Sequence, residues 1–172
     1  MMFFSEKNFY IFKVKDHKKQ KEKILSKILT HKYSFDYNIS KTDWNVFETN
    51  WFDFGFSDRD KDRFLKFIDN KYKKKPIILN YWFNQYEPNS GSHHALHNHP
   101  DSTIACIYYV ELKTRLLRTV LVDPVTGKKV TPRANEGDLL IFKSSVFHES
   151  PKNFTNTRKT IIAFNFDLND AL

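Results

Sequence analysis

His97-Asn98-His99-Pro100-Asp101-Ser102-Thr103-Ile104-Ala105-Cys106-Ile107-Tyr108-Tyr109-Val110 passes from a polar turn into an unbroken apolar stretch. A short apolar run bounded by turn residues reads as a strand buried on both faces. Four further β-rich segments surround it: Ile77 to Tyr86, Arg118 to Val122, Leu139 to Phe142 and Thr160 to Asp167. Asn89-Ser90-Gly91, Asp123-Pro124-Val125-Thr126-Gly127 and Asn135-Glu136-Gly137-Asp138 punctuate them. Upstream the pattern is helical. Asp16 to about His31 places Ile24, Leu25, Ile28 and Leu29 on one face. Ser57 is the expected N-cap of a second helix, with Asp58, Asp60 and Asp62 early, an apolar stripe from Phe64 to Tyr72, and Pro76 as its stop. The expected fold is mainly β with N-terminal helices (α+β), built on a jelly-roll, or double-stranded β-helix, core. One domain is expected over 1–172, with helical support in 1–76 and the jelly roll in 77–168.

The histidines carry the chemistry. Of 7 in the chain, His93, His94, His97 and His99 fall in one short stretch, and His148 follows some fifty residues later. Alternate residues of an extended segment share a side, so His97 and His99 can face one point. A third imidazole from a distant strand, His148, completes a facial set of metal ligands with open positions opposite. Asp101 joins only if the loop folds back.

Composition excludes several classes. The 172 residues are 40% hydrophobic and 16% aromatic, with 17 Phe, which is enough for a sizeable core and unlike a disordered chain. The single cysteine, Cys106, rules out an internal disulfide and reads as a small buried hydrophobe. Met1 to Lys7 is too briefly apolar for a signal peptide or membrane span, so a soluble, cytoplasmic protein is expected. The net charge of +8 comes largely from lysines near the N-terminus and from Lys71 to Lys75. No nucleic-acid motif accompanies them, and a solvated lysine-rich face is the simpler reading.

The order of motifs resembles the iron(II)- and 2-oxoglutarate-dependent oxygenases, in particular a phage and bacterial branch. The matching residues are His97-Asn98-His99-Pro100, Tyr108-Tyr109, Gly137-Asp138-Leu139-Leu140-Ile141-Phe142, His148 and Phe164-Asn165, within residues 80–167. The resemblance implies Fe(II) held by His97, His99 and His148, with 2-oxoglutarate and O2 as co-substrates. It also implies hydroxylation of a substrate with release of succinate and CO2. Where many relatives have a carboxylate as second ligand, this chain has His99. A cation beyond the distal histidine should pair with the far carboxylate of 2-oxoglutarate. Gapless counting from Phe164-Asn165 gives Lys159, whereas the Arg-x-Thr spacing to Thr160 and the apolar company of Ile162 and Phe164 favour Arg158. Arg158 is preferred and Lys159 kept open. Tyr108 or Tyr109 is a candidate hydrogen-bond donor to the co-substrate, and Asn84 a candidate pocket residue. The rival readings are a cupin-like metal enzyme without 2-oxoglutarate, a non-enzymatic jelly-roll binding or structural module, and a nucleic-acid binder. The substrate is open among protein side chains, nucleic acid and small molecules.

Overall fold

A computed structural model of the chain describes residues 9–44 and 49–170. In chain order these are β1 (Phe9–Lys13), α1 (His17–Thr30), β2 (Lys41–Asp43), α2 (Trp51–Gly55), α3 (Asp58–Tyr72), β3 (Lys74–Tyr86), β4 (His94–His97), β5 (Ile104–Leu112), β6 (Val120–Val122), β7 (Lys129–Val130), β8 (Asp138–Lys143), β9 (Phe147–Ser150) and β10 (Lys159–Asp170). Two antiparallel sheets result: a six-stranded one, β1-β8-β5-β10-β3-β2, and a four-stranded one, β4-β9-β6-β7. This is the expected jelly roll.

Period two in β5 explains how the layers assemble. Ile104, Cys106, Tyr108 and Val110 face the helices, where they pack with Ile24 and Ile28 of α1, Trp51 and Phe52 of α2, and Phe64 and Ile68 of α3. Ala105, Ile107 and Tyr109 face the smaller sheet and pack with Leu121, Ala134 and Val146. The larger sheet is therefore buried on both faces, as its continuous apolar strands require.

Ser57 caps α3 by accepting from the Asp60 backbone N–H at 3.2 Å. Pro76 does not end that helix. Lys73, in the left-handed region with φ 55°, closes it, and Pro76 lies inside β3 opposite Leu168. Over its first residues β3 pairs with β10 alone among the described strands, so a residue lacking N–H is tolerated there. Leu29 is 80% exposed rather than part of the buried face of α1, which rests on Ile24 and Ile28. The larger sheet also reaches outside 77–168: β1 and β2, from the segment read as helical, form its two edges. No helix among the described residues is long and apolar enough to cross a membrane.

Candidate metal centre

His97 ends β4 and lies directly opposite His148 on β9. His99 lies beyond the strand end, where its N–H donates to the Ser144 carbonyl at 3.0 Å. Ser102 closes the turn by donating its N–H and Oγ to the His99 carbonyl at 3.2 and 3.1 Å. One ligand atom from each of His97, His99 and His148 lies within 4.8 Å of the other two. Asp101 is not in this group.

The hydrogen bonds of two rings settle which nitrogen is free. His97 Nδ1 is 2.7 Å from the Ala95 carbonyl, and His148 Nδ1 is 3.3 Å from that of Val146. A carbonyl can only accept, so Nδ1 carries the proton and Nε2 keeps its lone pair for a metal. Burial depresses the pKa of all three rings, His99 to about 4 and His148 well below the ordinary value, so they are neutral imidazoles at neutral pH. This donor set fits a facial site for a divalent first-row metal.

The two candidate cations point in opposite directions. Lys159 shares a face of β10 with Ile161, Ala163 and Asn165, which line the same cavity as the histidines. Its ammonium is fully buried, donates to Ser150 Oγ at 2.7 Å, and lies 5.0 Å from the Tyr86 ring centroid and 5.8 Å from that of Tyr109. Burial without a carboxylate partner pulls its pKa down to about 7. Arg158 instead forks onto Glu111 at 2.8 and 3.1 Å on the other face, and Thr160 donates to the same carboxylate. Of the two, Lys159 and not the preferred Arg158 faces the cavity. Ile162 and Phe164 do share the face of Arg158, but that face packs on the helices rather than on the cavity.

The tyrosines divide in the same way. The Tyr108 hydroxyl bonds to His17 Nδ1 at 2.7 Å on the helix side, away from the histidine cluster. Tyr109 faces inward, and its hydroxyl accepts from the Thr119 N–H at 3.2 Å. Asn84 lines the cavity, with Oδ1 accepting from Thr42 Oγ1 at 2.6 Å and Nδ2 donating to the Tyr86 hydroxyl at 3.4 Å.

Residues 80–165, half of the chain, match the family model described as "Putative 2OG-Fe(II) oxygenase". The chain belongs to this family. Membership implies Fe(II) and 2-oxoglutarate, and the three histidines of this 2OG-Fe(II) oxygenase could hold the metal. Its fold is shared with solved structures. An oxidoreductase of the 2OG-Fe(II) oxygenase family from Burkholderia pseudomallei superposes with a TM-score of 0.73 at 12% identity, covering 94% of this chain and 85% of the other. A prolyl hydroxylase from Trichoplax adhaerens, solved with a hypoxia inducible factor oxygen degradation domain peptide fragment, gives 0.67 at 16% identity over 94% and 84%. A viral collagen prolyl hydroxylase from Paramecium Bursaria Chlorella virus-1, solved with 2OG, gives 0.62 at 13% identity over 94% and 96%. No curated protein sequence matches the chain.

Sequence reasoning missed several residues around the centre of this oxygenase. Tyr86 and Trp82 follow Asn84 by period two on β3, and Ser150 follows His148 on β9, so a facing rule applied from those anchors finds them. His94 stacks on His97 with ring centroids 4.0 Å apart and lines the cavity. His93 is turned to the Gly91 carbonyl at 3.2 Å.

Proposed function

We propose that this oxygenase holds Fe(II) through His97, His99 and His148 and hydroxylates a substrate C–H bond. One atom of O2 would enter the product, with 2-oxoglutarate converted to succinate and CO2. When bound, the iron and 2-oxoglutarate supply the oxidising chemistry. The protein's part is positional and electrostatic. The carbonyls of Ala95 and Val146 fix the tautomers of His97 and His148. Lys159 is the cation for the distal carboxylate of 2-oxoglutarate, because it is the buried ammonium on the cavity wall and Arg158 is engaged elsewhere. Tyr86 and Asn84 line that end of the cavity with polar groups, and the Tyr109 ring lies beside the Lys159 ammonium. Tyr108 and Thr160 have no part in it. The thiol of Cys106, buried in the core, suits a reducing, cytoplasmic setting.

The observation that carries the reading is three neutral imidazoles meeting at one point in a cavity that also holds the Lys159 ammonium, which pairs with no carboxylate among the described residues. Turnover under 18O2 with Fe(II) and 2-oxoglutarate tests it. One labelled oxygen should appear in succinate from the wild-type protein and none from His148→Ala. Unlabelled or absent succinate from the wild type sinks the proposal in favour of a cupin-like metal enzyme.

A further inference from the structure

Among the described residues, two polar atoms beside the metal centre lack partners. Trp82 Nε1, a donor, and Asn165 Oδ1, an acceptor, are both buried without a hydrogen bond. Buried polar groups are nearly always satisfied, so an orphaned pair calls for an explanation. Their placement gives one. Ala163 opposes Trp82 and Asn165 opposes Asn80 across the β10–β3 ladder, so Trp82 and Asn165 are diagonal neighbours on the cavity face. Both side chains line the cavity of the three histidines. The Trp82 ring lies 5.6 Å from that of His99 on one contact and 5.4 Å from Trp44 on another, which fixes its orientation. Asn165 is held by its own Nδ2, which donates to Asn80 Oδ1 at 2.8 Å.

We infer that Trp82 Nε1 and Asn165 Oδ1 hold the substrate, binding the carbonyl and the N–H of a neutral amide beside His99. The inference rests on the oxygenase reading and adds the substrate class, a polypeptide segment. An adjacent donor and acceptor on rigid strands complement an amide's C=O and N–H. The groove that continues past His99 and Asn165 is lined by Asn80, Asn98, Pro100, Asp101 and Ser102. Among the described residues no lysine or arginine lines it, and Asp101 repels anions. A nucleic-acid strand needs cations along its phosphates, so the groove disfavours one despite the net charge of +8. An uncharged amide chain requires only hydrogen-bonding groups, and those are what the groove offers.

The indole N–H of Trp82 is its own reporter. In 1H–15N spectra of the protein carrying diamagnetic Zn(II) and 2-oxoglutarate, Trp82→Phe identifies that resonance by its loss. The probe is an equimolar pool of N-acetylated, C-amidated tetrapeptides without ionisable side chains, compared with an eight-nucleotide oligo(dT). The peptide pool should shift the Trp82 indole signal while the signal of Trp51, bonded to Asp43 in the core, stays in place. Asn165→Leu should weaken that response by about tenfold or more, whereas Asn165→Gln, which keeps both the amide donor and the acceptor, should retain most of it. An unmoved Trp51 signal in each variant shows that the fold has survived. A Trp82 signal indifferent to the peptides, or one that responds to oligo(dT) instead, overturns the inference. That result leaves the oxygenase reading standing if 18O still enters succinate; if it does not, both fall.

Discussion

Removing the Lys159 ammonium tests which cation this cavity uses. The group is fully buried, its hydrogen bond is to a neutral hydroxyl, and burial alone accounts for its lowered pKa, so no carboxylate among the described residues neutralises it. A bound dicarboxylate would be its charge partner. Losing one charge-assisted bond in an enclosed site costs on the order of 2–5 kcal/mol, which is roughly thirtyfold or more in affinity. Lys159→Ala should therefore raise the 2-oxoglutarate Kd by at least that factor and leave Mn(II) affinity nearly unchanged, as titration calorimetry can show for each ligand separately. Arg158→Ala, which strips a two-bond partner from the mostly buried Glu111, should cost about 1–3 kcal/mol of stability and leave 2-oxoglutarate binding alone. The pH dependence has a definite sign. The free lysine loses its proton above about pH 7, and a bound carboxylate raises its pKa, so 2-oxoglutarate affinity should fall as pH rises through and beyond 7. A large effect of Arg158→Ala with a small one of Lys159→Ala refutes the assignment, and so does an affinity flat from pH 6 to 9.

The other expectations concern the metal and the frame. His97→Ala, His99→Ala and His148→Ala should each greatly weaken Mn(II) binding in calorimetry with near-native circular dichroism, because an open site coordinates metal without stapling the fold. Lys159→Met should raise the melting temperature of the ligand-free protein at pH 7, and the gain should shrink toward pH 10. The sign follows from the depressed pKa: between about 7 and the unfolded value the unfolded chain binds the extra proton, so wild-type stability rises with pH in that window. Gly137→Ala should cost about 1–3 kcal/mol or more in urea denaturation. Gly137 sits at φ +86°, and a Cβ there would meet His17 Cγ at 2.8 Å.

What could be read from the sequence depended on how much of the signal was local. The apolar runs of β5, β8 and β10 announce themselves, and Ser57 with its aspartates marks α3. β4 does not, because His94-Ala95-Leu96-His97 is short, half polar and defined only by pairing with β9. β1 is readable as Phe9-Tyr10-Ile11-Phe12-Lys13, yet only tertiary pairing with β8 tells that it joins the jelly-roll sheet. The histidine set was legible because residue type and spacing both pointed to it. The cation was not. Period two shows which residues of β10 share a face, and Arg158 does travel with Ile162 and Phe164. Whether that face meets helices or cavity depends on what covers the sheet, which lies outside the strand itself. The same limit explains why Tyr108 and Tyr109 were indistinguishable until the helices were placed.

The central claim is that His97, His99 and His148 present iron to 2-oxoglutarate in one enclosed site. Anaerobic addition of 2-oxoglutarate to the Fe(II)-loaded protein addresses it most directly. A weak visible charge-transfer band should appear that needs both iron and 2-oxoglutarate and is lost in His97→Ala, His99→Ala and His148→Ala. Tight iron binding with no band on adding 2-oxoglutarate would contradict that claim.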